Sequence, residues 1–242
     1  SAQIKSALEE SLGIKLTPPE FTTDDGYVTM TCTSARTVCV ETASSSLKKE
    51  SEEMNGDSAV CFTNREDRFY SLISDGMGSG REAAMTSRVT CAFLEKMLSS
   101  GNRKSIVLKM LNNFIRNKNL ECFATVDLLE IDLLSGEAGF VKSGAAASYI
   151  IRGGKLFKIV SDSLPIGITR EITAEDIRFT LLPDDLVVMI SDGVSQSFED
   201  GVWLADMLSS LDADSPLDGI TAKILDAAKI NNRRSDDMTV TA

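Results

Sequence analysis

The chain has 242 residues, with 25 lysines and arginines, 36 aspartates and glutamates, and a formal net charge of −11. It contains no histidine, which excludes Ser-His-Asp and Cys-His nucleophiles, phosphohistidine intermediates and His-ligated zinc or non-haem iron. The apolar fraction of 43% is sufficient for the core of one large domain or two small ones, and the acidic balance argues against a nucleic-acid partner.

The cysteines indicate the redox compartment. They number five and form no Cys-x-x-Cys pair, so we expect reduced thiols in a cytosolic environment. No apolar run approaches the roughly 20 residues that span a bilayer, and no signal peptide is evident. We therefore expect no membrane crossing within this sequence. The sequence leaves open whether a longer parent protein has a membrane segment upstream.

The N-terminal half begins with a short predicted helix that stops at Pro18-Pro19. We expect residues 1–20 to form a linker and residues 21–242 to form the main domain. Alternating apolar and polar residues predict half-buried strands between Tyr27 and Val40. Residues 44–53 are polar and unpatterned, which predicts a loop. A hairpin follows, with strands at 59–63 and 68–74.

Two helices are predicted after Gly80, each with an apolar stripe that we expect to face the core. The first stripe comprises Met85, Val89, Phe93 and Met97, and the second comprises Val107, Met110, Leu111 and Phe114. Further strands are predicted at 123–133, 140–142, 149–151, 156–160, 177–182, 186–191 and 238–241, with helices at 200–210 and 217–229. Tightly connected strands with segregated helix pairs predict the α+β class, as a sandwich of antiparallel sheets.

Two segments share an apolar strand that runs out into Ser-Asp-Gly, at residues 73–76 and 190–193. An Asp at the end of a buried strand is held on a rigid element, and the Gly allows a sharp turn that directs its carbonyl to the same point. The alternative is an ordinary Asp-Gly turn, because both residues are common in turns.

The predicted hairpin brings another carboxylate to the first of these segments. If its turn is centred between Arg65 and Glu66, Asp57 lies opposite Ser74 and next to Asp75, with Cβ atoms about 5 to 8 Å apart. Two like charges repel unless one is protonated or a cation lies between them. We therefore expect a bound cation.

Two further aspartates are predicted to reach the same cleft, because a sandwich can gather the ends of its strands. Asp192 belongs to the second Ser-Asp-Gly segment, and Asp236 precedes the last strand. Oxygen ligands without His or Cys favour hard divalent ions such as Mg²⁺ or Mn²⁺. The alternative for Asp236 and its neighbour Asp237 is a solvated acidic turn.

The glycines at positions 76, 78 and 80 also suggest a nucleotide-binding loop between a strand and a helix. The match is poor, because the dinucleotide fingerprint needs its third glycine where Arg81 stands, and the Gly-Lys-Ser/Thr of the P-loop is missing. We therefore favour close backbone approach to a metal or phosphate, beside a helix N-terminus.

Four motifs together resemble the metal-dependent protein phosphatases of the 2C type, in order and spacing. They are Gly56-Asp57-Ser58, Asp75-Gly76-Met77-Gly78-Ser79-Gly80, Ser191-Asp192-Gly193 and Ser235-Asp236-Asp237-Met238-Thr239-Val240. The bacterial branch fits better than the eukaryotic one, and the first two motifs are most similar to the phosphatase domain of the stage II sporulation protein E type. The resemblance extends from about Val28 to the C-terminus.

The resemblance implies a four-layer α-β-β-α sandwich with a two-metal cleft at one edge, filled by two Mn²⁺ or Mg²⁺ ions. In that pattern, one aspartate bridges both ions, the first Asp-Gly holds one ion through a carboxylate and a carbonyl, and two later aspartates hold the other. The implied catalytic and metal residues, in that order, are Asp57, Asp75, Gly76, Asp192 and Asp236. Asp237 stands where many relatives have Asn and is not expected to be a ligand.

The implied reaction is hydrolysis of phosphoserine or phosphothreonine by a metal-bridging water, without a phosphoenzyme. Three departures from the eukaryotic pattern matter. Gly56 replaces a Glu, no Arg lies between Lys48 and Asp57, and Met77 replaces a His. We therefore expect that metal-bound water protonates the leaving group or that the alkoxide leaves with help from the metal, and Arg81 is one candidate for a phosphate contact.

The resemblance also implies partners and regulation. A phosphorylated anti-anti-sigma factor is the implied substrate, the two helices after Asp75 are implied to control activity, and a homodimer is one expected assembly. The parent protein would be anchored by an upstream membrane region, with this domain on the cytoplasmic face. The alternative function is an inactive phosphatase-fold scaffold that holds one structural divalent ion.

Overall fold

Two five-stranded antiparallel sheets dominate the structure, a computed structural model that describes residues 2–78, 80–117, 122–172, 174–196, 202–211, 215–232 and 236–242. Its helices are α1 (Ala2–Leu12), α2 (Gly80–Ser99), α3 (Lys104–Arg116), α4 (Asp192–Ser195), α5 (Val202–Ser209) and α6 (Leu217–Asn232). Strands of the first half are β1 (Glu20–Asp24), β2 (Tyr27–Thr31), β3 (Ser44–Leu47), β4 (Asp57–Thr63), β5 (Arg68–Asp75) and β6 (Val126–Asp132). Strands of the second half are β7 (Glu137–Ser143), β8 (Ser148–Arg152), β9 (Lys155–Ile159), β10 (Glu175–Thr180), β11 (Leu186–Ile190) and β12 (Met238–Thr241).

The strand order is β10-β7-β6-β5-β4 in the first sheet and β3-β12-β11-β8-β9 in the second, and β1 and β2 form a separate two-stranded sheet. Helices α2 and α3 cover the outer face of the first sheet, where Leu94 and Leu111 pack against Leu72 and Leu128. Helices α5 and α6 cover the second sheet. The predicted α+β sandwich, with its four α-β-β-α layers, is therefore confirmed.

The space between the sheets is filled by an apolar cluster that includes Phe69 and Phe140 from the first sheet and Ile150 and Met189 from the second. Burial of such side chains supplies most of the stabilisation that holds the sheets together. Central strands such as β5 and β6 are buried on both faces, whereas β9 and β10 at the sheet edges are exposed on one face.

One ion pair interrupts this apolar layer. The Lys142 ammonium lies 2.7 Å from Asp127 Oδ2, and it donates to the hydroxyl of Ser148, in the second sheet, at 2.9 Å. That hydroxyl donates in turn to Asp127 Oδ2 at 2.5 Å. The ammonium also donates to the Ala146 carbonyl at 2.7 Å, so a fully buried cation links the two sheets through charge-assisted hydrogen bonds.

The β4–β5 hairpin has a register one residue away from the predicted one. Asp57 lies opposite Asp75 itself, and the last strand pair is Thr63 with Phe69. The loop contains an odd number of residues, because the Asn64 side chain accepts hydrogen bonds from two backbone amides of the turn and Asp67 adopts φ +56°. The prediction that Asp57 faces Ser74 was therefore wrong.

Two N-terminal predictions also differ from the structure. Residues 44–47, predicted as loop, form the edge strand β3 and pair with β12. Of the half-buried strands predicted between Tyr27 and Val40, the structure has only β2, which ends at Thr31, and its Val28 is 67% exposed. Val38 and Val40 lie outside the strands but pack against the core between the sheets.

The α2 stripe is only partly buried. Phe93 and Met97 pack at the margin of the core, whereas Met85 is 61% exposed. The buried face instead carries Ala83, Ala84, Ser87, Thr90, Cys91, Leu94 and Leu98. In α3, Val107 and Leu111 are buried as predicted, while Met110 and Phe114 are exposed.

The remaining predicted elements match closely. The start of the helix predicted at 200–210 lies outside the described residues, and its described part is α5. Ser79 and Ser235, which belong to the motifs quoted above, also lie outside them. In the described part of the chain, no helix combines the length and the apolar character needed to cross a bilayer.

Candidate metal centre

The centre of the candidate site is the direct cross-strand pair of Asp57 and Asp75, at the ends of β4 and β5. Directly opposed residues of an antiparallel pair project to the same face of the sheet, with Cβ atoms about 4.5 to 5.5 Å apart. Here that face is the one turned toward the second sheet. The one-residue register difference thus brings the two carboxylates closer than the sequence predicted.

Asp57 is buried without compensation. It is 6% exposed, and neither carboxylate oxygen has a hydrogen-bond partner among the described residues. The pKa of this carboxyl is raised to about 7, chiefly by burial; the nearby hydroxyls of Ser191 and Thr239 oppose the shift, and the charges of Asp237 and Asp192 add to it. Buried, unpartnered carboxylate oxygens are costly unless a proton or a cation accompanies them.

Asp75 shares this environment. Burial raises its pKa to about 8, and the charges of Asp57, Asp192 and Asp236 contribute to the same shift. Its backbone is fixed by Thr125, whose hydroxyl accepts from the Asp75 amide at 2.9 Å and whose amide donates to the Asp75 carbonyl at 2.8 Å. Asp57 is the cross-strand partner of Asp75, and the Asp236 Cβ lies 3.2 Å from the position that a Cβ on Gly193 would take. The four predicted aspartates therefore lie near one edge of the sandwich.

Gly76 follows Asp75 in a tightly packed loop. A Cβ atom at this position would lie 2.0 Å from the backbone carbonyl oxygen of Ala83 in α2, so only glycine fits here. On its other side, Gly76 forms an isolated β-bridge with Ala124, and the Met77 amide donates to Phe123 at 2.9 Å. Gly76, the residue with the predicted carbonyl ligand, therefore lies between the bridge at Ala124 and the first turn of α2.

The second sheet contributes Asp192, which is the first residue of the short helix α4. Burial raises the pKa of Asp192, and the charge of Asp236 adds a smaller increase. Gln196 donates to Asp192 Oδ2 at 3.0 Å. A Cβ atom on Gly193 would lie 2.0 Å from the backbone oxygen of Asp237. Glycine is thus required after both aspartates of the Ser-Asp-Gly segments, because another backbone approaches each of them closely.

Asp236 and Asp237 differ in their surroundings. One carboxylate oxygen of Asp236 accepts from the Asp237 amide at 2.9 Å. Both carboxylate oxygens of Asp237 accept from backbone amides, those of Lys49 at 2.8 Å and Gly56 at 2.9 Å. Asp237 therefore acts as a hydrogen-bond acceptor for the segment that leads into β4.

The donor set fits a hard divalent cation, since it consists of carboxylate and carbonyl oxygens and includes the two unpartnered oxygens of Asp57. However, no group of three or more Asp, Glu, His or Cys side chains that could hold a metal ion is present in the described ranges. The carboxylates are neighbours in this arrangement, and their ligand geometry is not assembled.

Three residues support the site through hydrogen bonds that the sequence did not predict. Thr125 fixes the Asp75 backbone, Asn55 accepts from the Asp57 amide at 2.9 Å, and the Ser191 hydroxyl accepts from the Thr239 amide at 2.9 Å. Asn55 immediately precedes Gly56-Asp57, and its short amide side chain is typical of local backbone bonding. For Thr125 no local pattern gives a signal, because it meets Asp75 only through sheet pairing.

Comparison with known proteins identifies the family of the chain. The family model of stage II sporulation protein E (SpoIIE) matches residues 65–242. The chain is 31% identical to stage II sporulation protein E of Bacillus subtilis over 224 residues, which cover 89% of this chain and 27% of that protein. It is 24% identical to the phosphoserine phosphatase RsbP of Bacillus subtilis, covering 77% of this chain and 48% of RsbP. The chain thus spans less than half the length of these relatives.

The structural comparison agrees. A structure of the PP2C phosphatase domain and a fragment of the regulatory domain of the cell fate determinant SpoIIE from Bacillus subtilis superposes with a TM-score of 0.85 at 27% identity. It covers 100% of this chain and 74% of that one. The chain therefore belongs to the stage II sporulation protein E family and has the fold of the PP2C-type protein serine/threonine phosphatases.

Proposed function

We propose that this chain is the catalytic domain of a Mn²⁺- or Mg²⁺-dependent protein-serine/threonine phosphatase. The observation that carries the proposal is the opposed pair of buried carboxylates, Asp57 and Asp75, at the meeting point of two further aspartates from the other sheet. Such an excess of buried negative charge has no structural use by itself and is stabilised by cations. Family membership supports the choice of a phosphatase over other metal-dependent functions.

In this proposal, Asp57 would contact both ions, Asp75 and the Gly76 carbonyl would hold one, and Asp192 and Asp236 would hold the other. When bound, two divalent ions supply the charge that offsets the phosphate and activate the attacking water. The chain itself orients the reaction: the carboxylates are mounted on strand ends and on α4, whose backbones are fixed by neighbouring strands. Without cations, the same carboxylates repel a dianionic phosphate ester.

We propose a phosphoserine of an anti-anti-sigma factor as the substrate. Support comes from the sequence resemblance and from the relative that is named a phosphoserine phosphatase. The division into a linker at 1–20 and a phosphatase domain at 21–242 stays a prediction, as do the homodimer and an upstream membrane anchor. The separate β1–β2 sheet lies at the start of the proposed domain. A shortened chain that begins at residue 32 would test whether the domain needs this sheet.

The deciding experiment measures phosphate release from a phosphoserine protein in Mn²⁺, in Mg²⁺ and in EDTA. We expect turnover only with a divalent ion and a loss of about 100-fold or more in Asp57→Asn, with Asp206→Asn, an exposed position on α5, as the matched control. Absence of metal-dependent turnover at high Mn²⁺ would favour the scaffold alternative. An intact mass that rises by one phosphate during turnover would refute direct attack by water.

We also propose that α2 and α3 regulate the site through their contacts with the metal loop. The Ala83 backbone contacts Gly76. On the side of α3, Asn112 accepts from the Gly167 amide at 2.8 Å. The preceding residue, Ile166, forms a β-bridge with Ala124, which is also the bridge partner of Gly76. A shift of either helix would therefore move the loop that carries the proposed carbonyl ligand.

The regulatory proposal is tested by Met85→Ala and Phe93→Ala, because neither residue lies in the fully buried face of α2. Phe93 stacks on Phe114 of α3 with ring centroids 6.0 Å apart, so its truncation loosens the contact between the helices. We expect a changed Mn²⁺ requirement in a protein that still folds. Unchanged activity and unchanged metal affinity in both variants would contradict the proposal.

A further inference from the structure

The carboxylate of Asp237 joins two distant points of the backbone. Its Oδ1 accepts from the Lys49 amide and its Oδ2 from the Gly56 amide, so it ties both ends of the segment between β3 and β4. The residue is 9% exposed, and hydrogen bonds from amides to a shielded carboxylate are stronger than bonds between neutral groups. A buried carboxylate that is fully engaged in this way fixes the course of the segment.

Gly56 is the residue that makes this arrangement possible. Its φ does not fall among the positive values found at other glycines of the chain, so backbone conformation does not require glycine here. Space does, because a Cβ atom would lie 2.8 Å from Asp237 Oδ2 and 3.4 Å from Ala83 Cβ. Any larger residue at position 56 would push the Asp237 carboxylate away from the amide that it accepts from.

The same residue also contacts the other half of the site. The backbone oxygen of Asp237 lies where a side chain of Gly193 would be, next to Asp192. Its side chain meanwhile holds Gly56, the residue before Asp57. Asp237 thus contacts both a segment that leads into the first sheet and a helix that follows a strand of the second.

We propose that Asp237 is a positioning residue that, together with Gly56, sets the place of Asp57 relative to Asp192 before any cation binds. The inference rests on the proposed function, because the geometry it fixes is that of the metal ligands. It assigns Asp237 the role of acceptor for two backbone amides and assigns Gly56 the role of leaving room for it. Loss of either residue should therefore lower metal affinity without removing a ligand.

Two independent measurements test the proposal. Amide hydrogen exchange of the metal-free protein reports on the two hydrogen bonds that Asp237 accepts, and calorimetric titration with Mn²⁺ reports on the metal ligands. In Asp237→Ala we expect exchange at Lys49 and Gly56 to accelerate and the Kd for Mn²⁺ to rise by about tenfold, the usual effect of losing a residue that orients metal ligands. Asp226→Ala, at an exposed position on α6, is the control and should match the wild type.

The conservative variant distinguishes positioning from general damage to the fold. In Asp237→Asn the amide oxygen can accept one bond, while the amino group faces the second backbone donor. We expect faster exchange at one of the two amides and a Kd between those of the wild type and Asp237→Ala, with the urea unfolding midpoint close to that of the wild type. Equal protection of both amides in all variants would overturn the proposal.

A double-mutant cycle tests the pairing with Gly56. Gly56→Ala should raise the Kd for Mn²⁺ about fivefold in the wild-type background but less than about twofold in Asp237→Ala, because the crowded carboxylate is then absent. Equal effects in both backgrounds would overturn the coupling. If the wild-type chain itself binds no Mn²⁺, the proposed function fails and the positioning role with it. If the wild-type chain binds Mn²⁺ but Asp237→Ala leaves both Mn²⁺ binding and amide exchange unchanged, only the positioning role of Asp237 is overturned.

Discussion

Replacing Asp57 by Asn should make the metal-free protein more stable at pH 8, although it removes a proposed metal ligand. Burial raises the pKa of this carboxyl from 3.8 to about 7, and one pKa unit corresponds to about 1.4 kcal/mol. The carboxyl therefore lowers the free energy of unfolding by about 4 kcal/mol at pH 8. The buried side-chain amide that the substitution introduces would have incomplete hydrogen bonding, which costs about 1 to 2 kcal/mol. We therefore expect the free energy of unfolding of Asp57→Asn to exceed that of the wild type by about 2 kcal/mol.

The pH dependence of this gain has a defined sign. Between the unfolded pKa of 3.8 and the folded pKa of about 7, the folded state keeps a proton on Asp57 that the unfolded chain has released. The free energy of unfolding of the wild-type protein therefore falls as pH rises through this window and levels off above it. Because Asp57→Asn lacks the proton, its advantage over the wild type should grow by about 3 kcal/mol from pH 5 to pH 8.

Urea unfolding in EDTA at the two pH values measures the effect. Trp203 is the single tryptophan and packs against the core beneath α5 and α6, which makes its fluorescence a suitable probe. Asp206→Asn serves as the exposed control and should change the unfolding free energy by less than about 0.5 kcal/mol. If Asp57→Asn is less stable than the wild type by the same amount at both pH values, the inferred burial penalty at Asp57 does not exist.

Three further substitutions test the packing around the site, each by urea unfolding. Gly76→Ala should destabilise the protein by about 3 kcal/mol or more, because its Cβ would meet the Ala83 carbonyl at 2.0 Å; a loss below 1 kcal/mol would mean that the loop gives way easily. Lys142→Met should cost about 3 to 5 kcal/mol by leaving Asp127 buried and unpaired, and the double variant with Asp127→Leu should recover most of that loss. Gly219→Ala, within α6 and with nothing within 4 Å of the new Cβ, should stabilise by about 0.5 to 1 kcal/mol, and a destabilising result would contradict the open space seen there.

The sequence was sufficient for most of the strands and helices because apolar alternation and helical spacing follow burial directly. It failed where an element depends on its partner. Strand β3 is a serine-rich stretch whose pairing with β12 gives it strand structure, and no apolar alternation marks it. The hairpin register depended on the Asn64 side chain, whose bonds to the turn backbone add a residue to the loop.

The α2 stripe shows a limit of another kind. A spacing of four residues advances about 40° around a helix with each step, so Met85 and Met97 point about 120° apart and cannot share one face. Small residues such as Ala84 and Ser87 form the real contact face, because they allow the helix backbone to approach the sheet closely. Size complementarity with a sheet is not visible in a hydrophobic pattern.

The aspartates of the site were predictable because each adjoins a strand end, and three of them, Asp57, Asp75 and Asp192, also stand beside a glycine. The role of Asp237 was not, since its two partners are 188 and 181 residues away along the chain and only the folded backbone brings them together. The same holds for Thr125, which meets Asp75 across two adjacent strands.

The buried link between Lys142, Asp127 and Ser148 has a consequence for alignment. Apolar contact has no direction, so hydrocarbon packing specifies the relative alignment of two sheets less sharply than directed hydrogen bonds do. A slip of one residue is about 3.3 Å, which is longer than any bond from Mg²⁺ or Mn²⁺ to oxygen, and it would part aspartates mounted on opposite sheets. The ammonium and its acceptors are directed contacts between the two sheets, so they favour a single alignment. That alignment is the one in which the four aspartates lie near one another.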